Sequence, residues 1–380
     1  MNQRQRRLGF ILSILGMLAP LALPLSSHPV VALSARPALL ALTVTGAGCF
    51  ALAAFLSPSR SILPGLFGAA CGAVTTLSLL REPGIAGSAA AGFWAMTLAV
   101  WLSSALCVTE LASRRPRGPL LRRTLGLAVP LLFGAVVFYL WEAFVRGFGV
   151  SPVILPAPSA AAARFAASLP TLGADFVQTF IRGVLIGYII GCGAGLLVAM
   201  VAQRFVFLGR GLLPLGNFFS ALPLVGVAPI MVMWFGFDWP SKAAVVALVT
   251  FFPMLVNTLA GLSASGHMER DLMRSYGADY RQTLRKLYLP AALPFIFNAL
   301  KINATLALIG AIVAEFFGTP TQGIGFRIST EAGRMALDMV WAEIALAAIA
   351  GMAFYGIVAL AERVTTFWHP SYRTRLGGFT

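Results

Sequence analysis

Asp271 to Pro290 reads DLMRSYGADYRQTLRKLYLP, a polar and basic loop with one central glycine and a closing proline. On either side run long apolar stretches, Ala243 to Gly266 and Leu287 to Ala314. Each is long enough to cross a bilayer, which takes about 20 predominantly apolar residues. Gly277 tolerates positive φ and can therefore end a helix where a β-carbon would clash. Glu269, Arg270, Asp271 and Arg274 before it, with Asp279, Arg281, Arg285 and Lys286 after it, offer a charged surface to a protein partner. Pro290 suits the first turn of a following helix, where its missing N–H costs least.

The composition extends the membrane reading to the whole chain. Of 380 residues, 58% are apolar and 11% charged, with a mean hydropathy of +0.85. Soluble domains carry about 25% charged residues, so the fold class expected is an all-α polytopic membrane protein. The formal charge of +15 is scattered between apolar runs rather than gathered into a patch, which argues against nucleic acid. Cys49, Cys71, Cys107 and Cys192 all lie inside apolar runs without the close Cys or His pairing of a zinc site, and read as packing residues. His28, His267 and His369 lie in polar ends or loops with no paired nucleophile, so neither catalysis nor a bound metal is expected.

Uncharged stretches of spanning length run from Leu8 to Ser27, Pro37 to Ser59, Ser61 to Leu80 and Pro83 to Thr109. Six more follow: Thr124 to Trp141, Gly183 to Gln203, Gly211 to Phe237, Ala243 to Gly266, Leu287 to Ala314 and Ile344 to Ala361. Ten spans with the N-terminus inside put 19 basic residues on the cytoplasmic side and seven on the other, as expected from the enrichment of Lys and Arg in cytoplasmic loops. Both termini and the Gly277 loop are then cytoplasmic. Residues 1–27 exceed the apolar core of a typical signal peptide and read as an uncleaved first span. Glu110 to Arg123, ELASRRPRGPLLRR, is the strongest break, so the expected domains are 1–118, with four spans, and 119–380, with six. Glycine and alanine clusters such as Gly46, Ala47 and Gly48 or Gly68, Ala69 and Ala70 suit close helix packing in the first domain.

Aligned on Gly277, the loop gives Asp271, Leu272 and Met273, three residues, the glycine, nine residues, then Leu287, Tyr288, Leu289 and Pro290. This spacing resembles the EAA loop of ABC importer permeases, with aspartate in place of glutamate, Leu272 and Met273 in place of two alanines, and Leu287 in place of isoleucine. The resemblance covers roughly Leu125 to Trp368. Ile154 to Ser159 (ILPAPS), Ala221 to Leu224 (ALPL), Trp234 to Phe237 (WFGF), and Gly310 to Gly318 followed by Gly323 to Phe326 (GIGF) are similar to the nitrate, sulfonate and taurine branch. Asn298 to Ile302 and Trp239 to Lys242 lean toward members importing pyrimidine or riboflavin-type vitamin precursors. The resemblance implies a type I importer permease core of six spans, with residues 1–118 as an extension. It implies a homodimer in the bacterial inner membrane, a separate ABC ATPase subunit, and a periplasmic or extracellular substrate-binding protein. In this loop, 264–290, it implies ATPase coupling through Asp271, Leu272, Arg274, Ser275, Gly277, Ala278 and Pro290.

The chain carries no Walker A pattern, because none of its lysines, Lys242, Lys286 and Lys301, follows a glycine. ATP is therefore expected to be used by the partner, with no cofactor bound by this chain. Pro214, Pro223 and Pro229 interrupt the Gly211 to Phe237 run; broken membrane helices need protein or a water cavity to satisfy the backbone. Pro223, Pro229 and Trp234 are accordingly pathway candidates. Charges inside spans usually face the bundle interior or water, which adds Lys301 and Glu315. Fourteen residues and about 21 Å separate these two along a helix, so each needs another partner. Glu142, Arg182 and Glu343 lie near span edges and read equally well as interfacial anchors. The alternative function is an ion-gradient-driven secondary transporter working through Lys301 and Glu315; a further one makes residues 1–118 a regulatory or assembly module. The cargo expected from the resemblance is a small solute such as a sulfonate, nitrate, taurine or vitamin precursor.

Overall fold

The computed structural model describes residues 3–27, 33, 36–82, 84–114, 118–220, 223–318 and 322–368. Pro83, Arg115, Arg117, Ala221, Leu222, His28, His369, Arg373 and Arg375, which entered the sequence reading, lie outside the described residues. Among the described residues the structure is helical, with a lone antiparallel bridge between Ser26 and Ala89. Eight runs among the described residues are long and apolar enough to cross a membrane: Pro37–Phe55, Arg60–Leu79, Ala91–Ala112, Leu120–Gly147, Leu169–Arg204, Trp239–Ser263, Tyr280–Phe317 and Leu337–Thr365.

The other two intervals of the ten-span reading take a different form. The first holds α1 (Gln3–Leu18), which is 16 residues long and gives way to a tight turn at Ala19–Leu21 containing Pro20. The seventh divides into α9 (Val206–Ser220) and α10 (Leu224–Phe235), with Pro223 as the N-cap of the second. Twelve residues of α10 extend about 18 Å, against a hydrocarbon core of about 30 Å. Proline is the cause in both places, since it removes an N–H and crowds the preceding turn.

The chain forms two compact units, Met1–Ala163 and Arg164–Thr380. The first contains α1, α2 (Pro37–Phe55), α3 (Pro58–Leu79), α4 (Ala91–Ala112) and α5 (Pro119–Gly147). Phe10, Met17, Phe50, Phe93 and Met96 are fully buried at its centre. Small residues permit the contact between α2 and α3: a β-carbon on Gly68 would come within 2.5 Å of the Phe50 ring. Buried Arg6 ties α1 to three other helices, α2, α3 and α4. Its Nη1 donates to Ser61 Oγ at 2.8 Å, its Nη2 to the Leu56 carbonyl at 2.6 Å, and its Nε lies 3.4 Å from Glu110. Ser61 Oγ in turn donates to Glu110 at 2.8 Å.

The sequence break at 110–123 separates helices without ending this unit. The far end of α5 stays with α4 because Phe148 stacks on Trp94 at 4.4 Å and the Gly87 N–H donates to the Arg146 carbonyl at 2.8 Å. The compact units divide at residues 163 and 164, with α5 packed in the first.

The second unit is built around α8 (Ile186–Arg204), α11 (Trp239–Ser263) and α14 (Leu289–Phe317). Gly187, Gly191 and Gly195 recur every fourth residue on one face of α8, where any β-carbon would meet α11 at 2.5, 2.1 and 2.5 Å respectively. The two backbones therefore approach as closely as small residues allow, the usual solution where lipid supplies no hydrophobic drive between helices. Asn303 of α14 fixes the third member by donating to the Thr250 carbonyl at 2.8 Å and to the Cys192 sulfur at 3.2 Å. This explains the embedded cysteine: Cys192 is buried packing with one hydrogen bond, and all four cysteines are free thiols.

Candidate functional site

Between α11 and α14 the chain forms α12 (His267–Ser275), a turn, α13 (Tyr280–Thr283), and a wide π turn at Leu284–Tyr288 that runs on into α14. Gly277 closes α12 at φ 65°. Its N–H donates to the Arg274 carbonyl at 2.9 Å and the Ala278 N–H to the Met273 carbonyl at 3.0 Å. These are the two reversed bonds of a Schellman ending, which requires a left-handed residue at that position. Ser275 Oγ donates to the Asp271 carbonyl at 3.0 Å, and Asp271 and Arg274 form an exposed pair at 3.8 Å.

The restart after the glycine differs from the sequence reading. Asp279 caps the new helix, accepting from the Gln282 N–H at 2.6 Å while the Gln282 side chain accepts from the Asp279 N–H at 3.1 Å. Pro290 thus lies ten residues inside a continuous helical run, Tyr280–Phe317, rather than at its beginning. The π turn before it widens the backbone where the proline offers no N–H. Aspartate with glutamine three positions on is the capping-box signal that could have located this start. Tyr280 anchors the segment to the end of α8, donating to Gln203 at 2.8 Å with the Arg204 guanidinium 4.8 Å above its ring.

The exposed face of α12 carries Met268 and Leu272, and its C-cap Tyr276 continues the row, at 84, 55 and 81% exposure. These positions, four residues apart, fall in one row along a helix. Sequence reading marked Leu272 and passed over Met268 and Tyr276; the spacing was the available signal. Three large apolar side chains projecting from a short charged helix form a surface suited to a groove on another protein.

A second constellation sits around α7 (Leu169–Phe176), the π turn Val177–Leu185, the end of α14, α15 (Ile324–Gly333) and α16 (Leu337–Thr365). Three successive N–H groups at the start of α15 are each met by a buried side chain from elsewhere. Gly323 N donates to Asp175 Oδ1 at 2.6 Å, Ile324 N to Thr179 Oγ1 at 2.8 Å, and Gly325 N to Glu315 Oε2 at 2.7 Å. The Thr179 hydroxyl donates onward to Glu315 at 2.8 Å, so one threonine links backbone to carboxylate. Arg327 grips Asp175 from the next turn, Nε to Oδ2 at 2.8 Å, and this hydrogen-bonded carboxylate holds its guanidinium above the usual range.

Of this group the sequence marked Glu315 and, as an edge residue, Glu343. Glu343 is fully buried, with Asp175, Arg327 and Glu315 as charged neighbours, and its carboxyl oxygens have no hydrogen-bond donor among the described residues. Asp175, Thr179 and Arg327 were missed because they converge from more than 130 residues apart. Nothing in the arrangement pairs a nucleophile with a base; its chemistry is that of a joint.

The remaining candidates separate. Lys301 is not near Glu315; its Nζ lies 2.7 Å from Glu362 of α16. Arg182 donates to Gln178 at 3.2 Å within the π turn, and Glu142 holds Arg146 and Ser159 at the end of α5. Pro229 lies inside α10, and Trp234, 71% exposed near its end, lines an apolar cavity of about 530 Å³ between α8, α10 and α11. Pro223 starts the same helix.

Residues 183–373 match the family model described as the binding-protein-dependent transport system inner membrane component. The chain belongs to that family. The formylaminopyrimidine transport permease protein ThiX of Halalkalibacterium halodurans is 28% identical over 248 residues, covering 65% of this chain and 98% of that protein. The putative aliphatic sulfonates transport permease protein SsuC of Bacillus subtilis is 30% identical over 254 residues, covering 66% and 91%. The riboflavin transport system permease protein RibX of Chloroflexus aurantiacus is 30% identical over 249 residues, covering 65% and 91%. As a member of this permease family the chain is an ABC transport permease, a multi-pass membrane protein with a transport rather than an enzymatic role. The ion-gradient alternative gives way to it. About a third of the permease lies outside these alignments, although each relative is covered almost entirely.

Proposed function

We propose that this permease is the membrane-spanning subunit of an importer in which two copies work with two ATPase subunits and an external substrate-binding protein, and that α12 is the segment entering the ATPase. One observation carries the coupling assignment: Met268, Leu272 and Tyr276 project in a row beside the Gly277 turn. Closure of the ATPases on ATP draws the two α12 segments together, and α13 with its π turn, continuous with α14, passes that movement into the bundle. Asp271, Arg274, Ser275, Ala278 and Pro290 shape the same segment. Replacing Leu272 or Tyr276 by Asp is expected to lower co-purification of the ATPase by about tenfold, the effect of losing one anchoring contact, and to abolish uptake. Membrane insertion stays intact. Normal co-purification and uptake would overturn the assignment.

The sequence distribution of 19 against seven basic residues supports ten crossings in the bacterial inner membrane with both termini cytoplasmic. On this reading α1, and α9 with α10, complete the count. Residues 1–118 form an extension to the six-span core, with Phe10, Met17 and Arg6 buried within it. The substrate pathway borders α10 and α11, with Pro223, Pro229 and Trp234 along it; Lys301 and Glu315 contribute by fixing the helices that frame it. Relatives named for formylaminopyrimidine, sulfonates and riboflavin favour a small organic solute, a sulfonate, taurine or vitamin precursor, with nitrate also in range. ATP is used by the partner subunit. A thermal-shift screen of the cognate binding protein against these solutes tests the cargo class; stabilisation by none of them would exclude it.

A further inference from the structure

The first unit contains a cavity of about 350 Å³ that no part of the transport reading uses. One wall is apolar, made by Leu77 and Leu80 at the end of α3 and by Ala135 and Phe138 of α5. The other is polar, with Arg81, Arg146, Glu142 and Ser159.

The polar wall is built rather than incidental. Glu142 receives the Ser159 hydroxyl at 2.6 Å and the Ser159 N–H at 2.9 Å, and lies 2.5 Å from Arg146 Nε. Arg146 Nη2 donates to Ser159 Oγ at 2.7 Å, which completes a closed triad and fixes the guanidinium. Glu142 and Arg146 neutralise each other. Arg81 has no side-chain partner among the described residues, so the cavity retains one uncompensated positive charge beside a pre-positioned second guanidinium. On the sequence assignment both arginines belong to the seven basic residues of the sparsely charged side, so their meeting in one cavity concentrates scarce charge.

We infer that this cavity binds the headgroup of a singly charged anionic phospholipid. The net charge matches one phosphodiester, and guanidinium groups suit phosphate oxygens. The volume lies in the range of about 300–1,000 Å³ that holds a small polar molecule, so the acyl chains leave along the apolar wall. That wall continues onto α5, where Phe138 and Leu131 are 57 and 70% exposed. The continuous apolar exit favours a lipid over a soluble phosphate. Phe138, which lines the cavity, stacks on Trp141, the pairing of aromatic rings common at headgroup level.

The test uses the full-length permease in nanodiscs of equal phosphatidylglycerol and phosphatidylcholine, with retained lipid counted by native mass spectrometry. The expected result is preferential retention of phosphatidylglycerol, reduced about fivefold by Arg81→Gln, the loss expected for one basic side chain, and restored by Arg81→Lys. Phe138→Ala, which leaves every charge in place, should weaken retention without changing the preference. Equal retention of the two lipids by the parent protein, or undiminished phosphatidylglycerol on Arg81→Gln, would overturn the inference. Displacement of the lipid by soluble glycerol phosphate at millimolar concentration would also overturn it, by assigning the cavity to a free anion.

Discussion

Two glycine turns bracket α14, and they sit in opposite surroundings. At Gly277 the backbone turns left-handed at φ 65° with nothing within 4 Å of where a β-carbon would be. At Gly323, φ is 134°, and a β-carbon would lie 2.6 Å from the buried Glu315 carboxylate. The first turn is fixed by its own backbone bonds and leaves the side chains around it free to meet another molecule. The second is fixed by side chains from distant helices and leaves nothing free. An exposed turn and a buried joint can therefore share one local device, and the surroundings decide which it is.

The largest effect should come from crowding the buried turn. Gly323→Ala combines a conformation open almost only to glycine with displacement of a buried carboxylate, and should lower unfolding free energy by about 4 kcal/mol, read from detergent-titrated unfolding. A loss no greater than that of Gly277→Ala would erase the distinction between the turns. Asp175→Asn comes next. It leaves Arg327 facing an uncharged partner and should cost about 3 kcal/mol, the usual range for breaking a buried pair. Asp175→Asn with Arg327→Gln should recover part of that loss, and a double variant no better than the sum of the two would show that the charges do not act as a pair.

The smallest stability effect belongs to the exposed turn. Gly277→Ala should cost about 1 kcal/mol, because left-handed backbone is the only penalty, and Gly277→Asn less, since asparagine enters that region readily. Equal costs for alanine and asparagine would mean that something other than backbone conformation holds the turn. Uptake should separate from stability at this site, falling strongly with a larger residue such as Gly277→Asp while the folded fraction barely changes.

The exposed turn was legible because its information is local. Glycine, the spacing to Asp271 and Pro290, and the flanking charges are all near neighbours in the chain, and a Schellman ending needs only those. Even there the restart was misread, since Asp279 and Gln282 form the cap and Pro290 is absorbed inside the helix by a π turn. The buried turn was nearly illegible. Glu315 stood out as a charge inside an apolar run, yet its partners Thr179 and Gly325 come from different elements, and Lys301 found Glu362 rather than any residue of that cluster.

The sequence by itself determined that this chain is a multi-pass membrane protein and that a glycine turn interrupts the apolar runs, because composition and local backbone chemistry do not depend on packing. It also supplied the small residues of α8 without showing what they face. Only the tertiary structure decided that Gly187, Gly191 and Gly195 lie against α11, that α5 packs in the first unit, and that Asp175, Thr179 and Glu315 converge on one helix start. The physical reason is that buried polar groups must find partners wherever the fold brings them, and those partners carry no mark in the chain until the helices meet.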